Sequence, residues 1–386
     1  MKVAFLTGST HSIPRLGREA RIYHMAAYLA SRGIEVGLFG SRFAEESLAP
    51  RMSQFQSSST WSGGDWYPLS VMNAPTLVKN VPSLIRQSKT LGRYDAIISE
   101  LGTAWKALWF KEINRLPIVL DEHNVEWQLM RQQELSAGRS YAWRRLRMYE
   151  RVCHAAFDQV TVVSATDKAA FEADGTPGEK MTVVSNGVDT VAFRPDAGLG
   201  QMIRKEYGLS QDDPLIMYMG SLKFFPNVDA VGSILKTIYP GARALVPNLR
   251  LMITGPGSED LPNPTPNEII TTGVVDRALL PSYINAADLC MAPLRFGSGT
   301  RFKILEWMAC GRAVIATRKA AEGIDVTHGD DVILEDDIEK YPAVIADLCQ
   351  DRNLRKRLGE NARTFVEKTY GWEKCVAPLE RWLRTL

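Results

Sequence analysis

Short β-branched or apolar runs alternate along the chain with longer stretches whose apolar residues recur at helical spacing. KVAFLTG, EVGLFG, DAIISE, PIVLDEH and QVTVVS read as strands in the first half, and PLIMYMG, RLMITG, EIITTG, LCMAPL and AVIAT in the second. This alternation predicts βαβ units, and hence an α/β fold with two doubly wound, mostly parallel sheets. The stretch VVSNGVDTVAFRPDAGLG interrupts the pattern with Asn-Gly, Pro and Gly, which places the boundary near Phe193 to Gly200. The expected domains are residues 1–193 and 194–370, followed by a segment 371–386 after the Gly371 break whose helix packs back on the first domain. Between Arg42 and Arg86 the pattern is weak and rich in Ser, Gly and Trp, so this stretch reads as a loop or insertion.

A length of 386 residues exceeds one ordinary core and suits two domains with a cleft between them. With 45% hydrophobic and 23% charged residues the composition is globular. The net charge of +2 gives no support to a nucleic-acid binder. Cys153, Cys290, Cys310, Cys349 and Cys375 are scattered and form neither a CxxC pair nor a Cys/His ligand cluster, so no metal centre is expected and a reducing cytoplasm fits. MKVAFLTG is too short an apolar run for a signal peptide, and no run approaches the roughly 20 residues of a membrane-spanning helix. A cytoplasmic location is expected, with any membrane contact peripheral. WRRLRMYERVCHAAF sets Arg144, Arg147 and Arg151 on one helical face, which suits either the anionic inner face of a membrane or plain solvation.

Three places carry candidate chemistry. The polar turn from Thr7 to Gly17 joins the first strand to a helix and can present N–H groups to an anion or sugar, although it is not a GxGxxG motif. Gly17 reads either as part of that loop or as a helix-start glycine. PIVLDEHNVEW ends a strand on Asp121, Glu122 and His123, where open α/β sheets place their ligands. The densest signal is RFGSGTRFKILEWMACG. Gly297, Ser298, Gly299 and Thr300 permit close backbone approach, and the helix that follows adds Arg301 and Lys303 at its positive end. A diphosphate suits that cradle. Glu306, on the second turn, can accept two vicinal hydroxyls such as those of a ribose, or pair with Lys303 or Arg301 along the helix.

VVSNGVDTVAFRP, YMGSLKFFPNVDAV, YINAADLCMAPLRFGSGTRFKILEWMACGRAVIAT and AEGI together resemble the donor-domain hallmarks of family four retaining glycosyltransferases. The resemblance implies the GT-B fold, with two Rossmann-like domains facing a cleft. It implies an acceptor-binding first domain, a nucleotide-sugar donor-binding second domain, and no required metal or other cofactor, the nucleoside-diphosphate sugar being a co-substrate. The implied activity is hexosyl transfer to a hydroxyl acceptor, saccharide or lipid-linked, with retention, in polysaccharide or glycolipid biosynthesis. The sequence departs from the family pattern at Ser298, where the first of two paired glutamates usually stands, and at Ser221 and Pro226, where an Arg and a Lys usually stand.

Arg301 and Lys303 are the implied substitutes, as in a sub-branch with G-S-G-T-R-x-K-x-L-E, and Lys223 is a weaker one. By the same resemblance His123, Arg301 and Lys303 are expected at the reaction. Gly17, Ser221, Lys223, Gly297, Ser298, Gly299, Thr300, Glu306, Glu322 and Gly323 are expected around the donor. Rival readings are a sugar-nucleotide epimerase on the same fold and a degenerate nucleotide-sugar-binding protein. An oxidoreductase is disfavoured, because no GxGxxG follows either domain's first strand.

Overall fold

The computed structural model describes residues 1–8, 17–40, 49–56, 84–136, 142–261, 265 and 268–386. Most of the Thr7–Gly17 turn and most of the Arg42–Arg86 stretch lie outside these residues. The chain divides into two units, Met1–Asn186 with Trp372–Leu386, and Gly187–Gly371. The division falls after Asn186, earlier than Phe193, and hydrogen bonds explain why. Val188 donates its N–H to Tyr370 O at 2.8 Å, and the Arg363 guanidinium donates to Phe193 O at 2.6 Å and Thr190 O at 2.9 Å. These bonds stitch the stretch after Gly187 into the second unit.

In the first unit the strands are β1 (Lys2–Leu6), β2 (Glu35–Gly40), β3 (Met52–Gln56), β4 (Ala96–Glu100), β5 (Ile118–Asp121), β6 (Gln159–Val162) and β7 (Met181–Val183). They form a parallel sheet in the order β3-β2-β1-β4-β5-β6-β7. Helices cover both faces of such a sheet, so its inner strands are mainly apolar and every residue of β4 and β5 is buried, with Ser99, Glu100 and Asp121 at their carboxyl ends. β3 corrects the reading of its neighbourhood as loop. MSQFQ has little apolar character, and it becomes a strand by pairing along β2 from Val36↔Met52 to Gly40↔Gln56, at the sheet edge, where polar residues are tolerated.

The helix Trp372–Leu383 packs on the helix Gly17–Ser31 in this same unit. His24 stacks on Trp372 with ring centroids 4.9 Å apart, and one turn further Tyr28 Oη donates to Glu380 Oε2 at 2.7 Å. Arg32, another turn on, reaches the same carboxylate at 3.2 Å. The spacing of four residues puts all three partners on one helical face.

In the second unit β8 (Leu215–Met219), β9 (Arg250–Thr254), β10 (Ile269–Thr271), β11 (Leu289–Ala292), β12 (Ala313–Ala316) and β13 (Ile333–Leu334) are parallel in the order β10-β9-β8-β11-β12-β13. β13 is two residues long, too short to show a period in the sequence. Asp196 and Asp351 cap the helices that follow them, each accepting from the N–H three residues on, at 3.1 and 2.8 Å. Both sheets reverse their winding beside their first strand, between β1 and β4 and between β8 and β11. Connections diverge to opposite faces there, and the carboxyl ends of the two strands border a crevice suited to ligands.

Candidate active site

In the second unit the crevice is bordered by the turn after β8 and the loop after β11. Gly297 (φ 127°) and Gly299 (φ 72°) hold that loop in a conformation L side chains rarely adopt, and Ser298 and Thr300 are buried between and beside them. The Arg301 guanidinium turns back on its own loop, donating to Ser298 O and to Gly299 O. The helix Phe302–Ala309 then starts, with Ile304, Leu305, Trp307 and Met308 buried against the sheet. Its amino end faces the same loop.

Lys303, on the first turn, reaches across the crevice. Its Nζ donates to Asn227 Oδ1 at 2.9 Å and to Tyr218 Oη at 3.2 Å, and lies 4.4 Å from the centroid of the Tyr218 ring. Asn227 is held in turn by Tyr218 Oη, which donates to its Oδ1 at 2.8 Å, and by Ser221 O, which accepts from its Nδ2 at 2.9 Å. The ammonium thus stands beside the residue that follows Pro226, joining the two loops. Burial pushes its pKa down to about 7, the neighbouring Arg301 charge pushes the same way, and Glu306 opposes them.

Glu306 is buried, and its carboxylate does not pair along the helix with Lys303 or Arg301. Its partner is Arg277, whose Nη2 lies 2.6 Å from Oε1, while the Arg277 guanidinium also sits 5.0 Å from the Phe193 ring centroid. Ser221 is half-buried in the β8 turn, and Lys223 is exposed there. Glu322 pairs with Lys319 at 2.6 Å, and Gly323 turns with φ 79°. That segment adjoins the β11 loop, since Thr317 Oγ1 donates to Leu294 O at 2.5 Å.

In the first unit His123 follows β5. Its Nε2 lies 3.3 Å from Glu100 Oε1 and 3.6 Å from Asp121 Oδ2. Glu100 ends β4, and its Oε2 accepts the Gly8 N–H at 2.9 Å, so the ends of β1, β4 and β5 meet at the crevice of this sheet. Gly17 is the first residue of its helix. Arg147 pairs with Asp174 and lies 5.1 Å from the Trp127 ring, whereas Arg144 and Arg151 are exposed. Sequence reasoning passed over Tyr218, Asn227, Arg277, Glu100 and Arg21. An Asn after Pro at a helix start was the signal available. Among the described residues no group of three or more His, Cys, Asp or Glu could hold a metal ion, and no helix is long and apolar enough to cross a membrane.

Comparison with known proteins defines first the architecture. A crystal structure of Anabaena HepE in complex with UDP and glucose superposes with a TM-score of 0.78 at 16% identity, covering 100% of both chains. Sucrose-phosphate synthase from Thermosynechococcus elongatus gives 0.77 at 17% identity, covering 100% of this chain and 98% of that one. The two parallel-sheet units are the two Rossmann-like domains of the GT-B fold.

Residues 17–191 match the model described as Glycosyltransferase Family 4, and residues 213–351 match Glycosyl transferases group 1. Both models describe glycosyltransferases, and each covers less than half of the chain. The chain is 27% identical to the GDP-mannose-dependent alpha-(1-6)-phosphatidylinositol monomannoside mannosyltransferase of Mycobacterium tuberculosis, over 59% of this chain and 62% of the relative. It is 23% identical to the D-inositol 3-phosphate glycosyltransferase of Thermomonospora curvata, over 93% and 88%. An uncharacterized glycosyltransferase of Methanocaldococcus jannaschii is 30% identical over 28% of this chain and 29% of its own length; of it and the mannosyltransferase the chain spans less than two thirds.

In the ligand-free protein Lys303 should titrate near 7, charged below and neutral above. Arg301→Ala should move that midpoint up, because a repelling charge is removed. Lysine side-chain NMR in both proteins checks this, and a Lys303 midpoint at the ordinary lysine value would contradict the burial argument.

Proposed function

We propose that the chain is a retaining, metal-independent glycosyltransferase that moves a sugar from a nucleoside-diphosphate sugar to a hydroxyl acceptor in polysaccharide or glycolipid assembly. One observation carries the reading: the Gly297–Thr300 loop, a helix amino end and the Lys303 ammonium converge on one crevice, with Glu306 a turn further along the helix. Loop N–H groups and the helix end hold the diphosphate, and Lys303 and Arg301 supply the positive charge that stabilises it as it leaves. Arg301, which donates to the loop carbonyls of Ser298 and Gly299, exchanges them for phosphate oxygens when the diphosphate binds. Glu306 accepts the ribose hydroxyls. In the reaction the bond from the anomeric carbon to the phosphate oxygen breaks and a bond to the acceptor oxygen forms on the same face. The acceptor proton passes to the departing diphosphate. Ser298 and Gly299 line the donor sugar, with Ser221, Lys223, Glu322 and Gly323 around the nucleotide, and His123 serves the sugar and acceptor.

The acceptor, in this reading, carries an anionic group. Phosphatidylinositol monomannoside and D-inositol 3-phosphate in the relatives' names both contain a phosphate. Lys106, in the first turn of the helix Ala104–Asn114 after β4, supports it: the side chain is half-buried against Trp105, 5.6 Å from the ring, and burial lowers its pKa. No hydrogen bond or ion pair to it is found among the described residues, which leaves a desolvated cation for an incoming anion. The protein lies at the inner membrane face through Arg144 and Arg151, which flank Met148 and Val152, 69% and 57% exposed.

Glu306→Ala should raise the donor KM about 10- to 100-fold, the value of a hydrogen bond to a charged group, with folding retained by thermal melt. An unchanged donor titration would remove the ribose assignment. Lys106→Gln should raise the KM of a phosphorylated polyol acceptor while leaving the donor KM unaltered, and equal rates with phosphorylated and neutral polyols would exclude an anionic acceptor. Flotation with phosphatidylglycerol vesicles, but not with phosphatidylcholine vesicles, is expected for the wild type and should weaken in Arg144→Ala/Arg151→Ala.

A further inference from the structure

Arg21 lies on the helix Gly17–Ser31 with none of its surface exposed. A guanidinium wholly removed from water persists only where its charge and its donors are matched, and here they are. Nε donates to Asp121 Oδ2 at 3.0 Å and Oδ1 at 3.2 Å, and Nη2 donates to Oδ1 at 2.6 Å. Nη1 donates to Val184 O at 2.7 Å and Asn186 Oδ1 at 3.1 Å. Thr161 Oγ1 adds a bond to Asp121 Oδ1 at 2.6 Å. Asp121, itself buried, is therefore fixed in plane by a fork that a lysine ammonium cannot reproduce.

The fixed carboxylate faces the histidine that follows it by two residues. Asp121 Oδ2 stands 3.6 Å from His123 Nε2, and Glu100 Oε1 stands 3.3 Å from the same atom. Glu100 is anchored separately by the Gly8 N–H. The imidazole edge thus lies between two carboxylates, one held by the backbone and one by Arg21. We infer that Arg21 is a positioning residue for His123, acting through Asp121 to hold the Nε2 edge of the imidazole and so set the direction in which the ring presents its other nitrogen, Nδ1. This rests on the proposed role of His123 at the sugar and acceptor. The competing account is that Arg21 only ties the Val184–Asn186 segment to the sheet, which would affect stability alone.

A cycle of variants separates the two accounts. Arg21→Met combined with Asp121→Asn removes both charges together and leaves no lone buried ion, and Arg21→Lys keeps the charge but loses the fork. In the wild-type background each should lower kcat about 10- to 100-fold, with nucleotide affinity unchanged by calorimetry. In a His123→Ala background neither should lower it further, because residues that act as a unit are not additive. Equal losses in both backgrounds, or unaltered kcat, would overturn the inference. Full activity of His123→Ala alone would instead overturn the role given to the histidine. The imidazole ¹⁵N spectrum, assigned by His123→Ala, provides a readout independent of turnover. The His123 resonances should shift in Arg21→Lys, and resonances identical to wild type would overturn the inference whatever the activity.

Discussion

Parallel strands buried on both faces are the constraint from which the rest follows. Such strands have no face to spare for chemistry, because each side chain is needed to fill the layer between sheet and helices. Reactive groups are displaced to the strand ends, and the reversal of winding beside β1 and β8 decides which ends have room for a ligand. His123 and Glu100 gather at one such place. The glycine loop, Lys303 and Asn227 gather at the other.

Two cations, one fully buried and one half-buried, show how differently such a place can treat charge. Arg21 is matched by a carboxylate and two further acceptors, Val184 O and Asn186 Oδ1, so its charge and donors are satisfied without any ligand. Lys303 has a ring face, a hydroxyl and an amide oxygen, all neutral. Its desolvation is not offset by an opposite charge in contact, since the nearby Glu306 is engaged by Arg277. The first arrangement makes a rigid support. The second leaves a site whose own electrostatics favour an anion.

Most of the fold was legible because its signals are local. Runs such as IVLD and LIMYM state their burial in their composition, and the glycines of GSGTR mark a turn that only they can make. β3 and β13 were not legible, since one owes its state to the neighbour it pairs with and the other spans two residues. The same division runs through the site. Arg301 and Lys303 stand out as cations at a helix start, but their contacts with the loop and with Asn227 depend on how the sheet is wound. Glu306 invited a partner three or five residues away, and the tertiary fold supplied one from the loop after β10. Arg21 was hidden in a helix that also carries Arg18, Glu19 and His24, so nothing in the sequence marked its charge as the one with a distant partner.

The helix that returns to the first unit has a bearing on how the chain reaches its fold. Trp372–Leu386 supplies the face that covers His24, Tyr28 and Arg32, so that unit is assembled from two stretches separated by the whole of the other. On the ribosome the Gly187–Gly371 unit has all its parts before the first unit has its last helix. Domains emerging from synthesis ordinarily finish in order from the amino end. Here the order is inverted, and the half that begins first must wait, with one helix face uncovered, for residues 372–386.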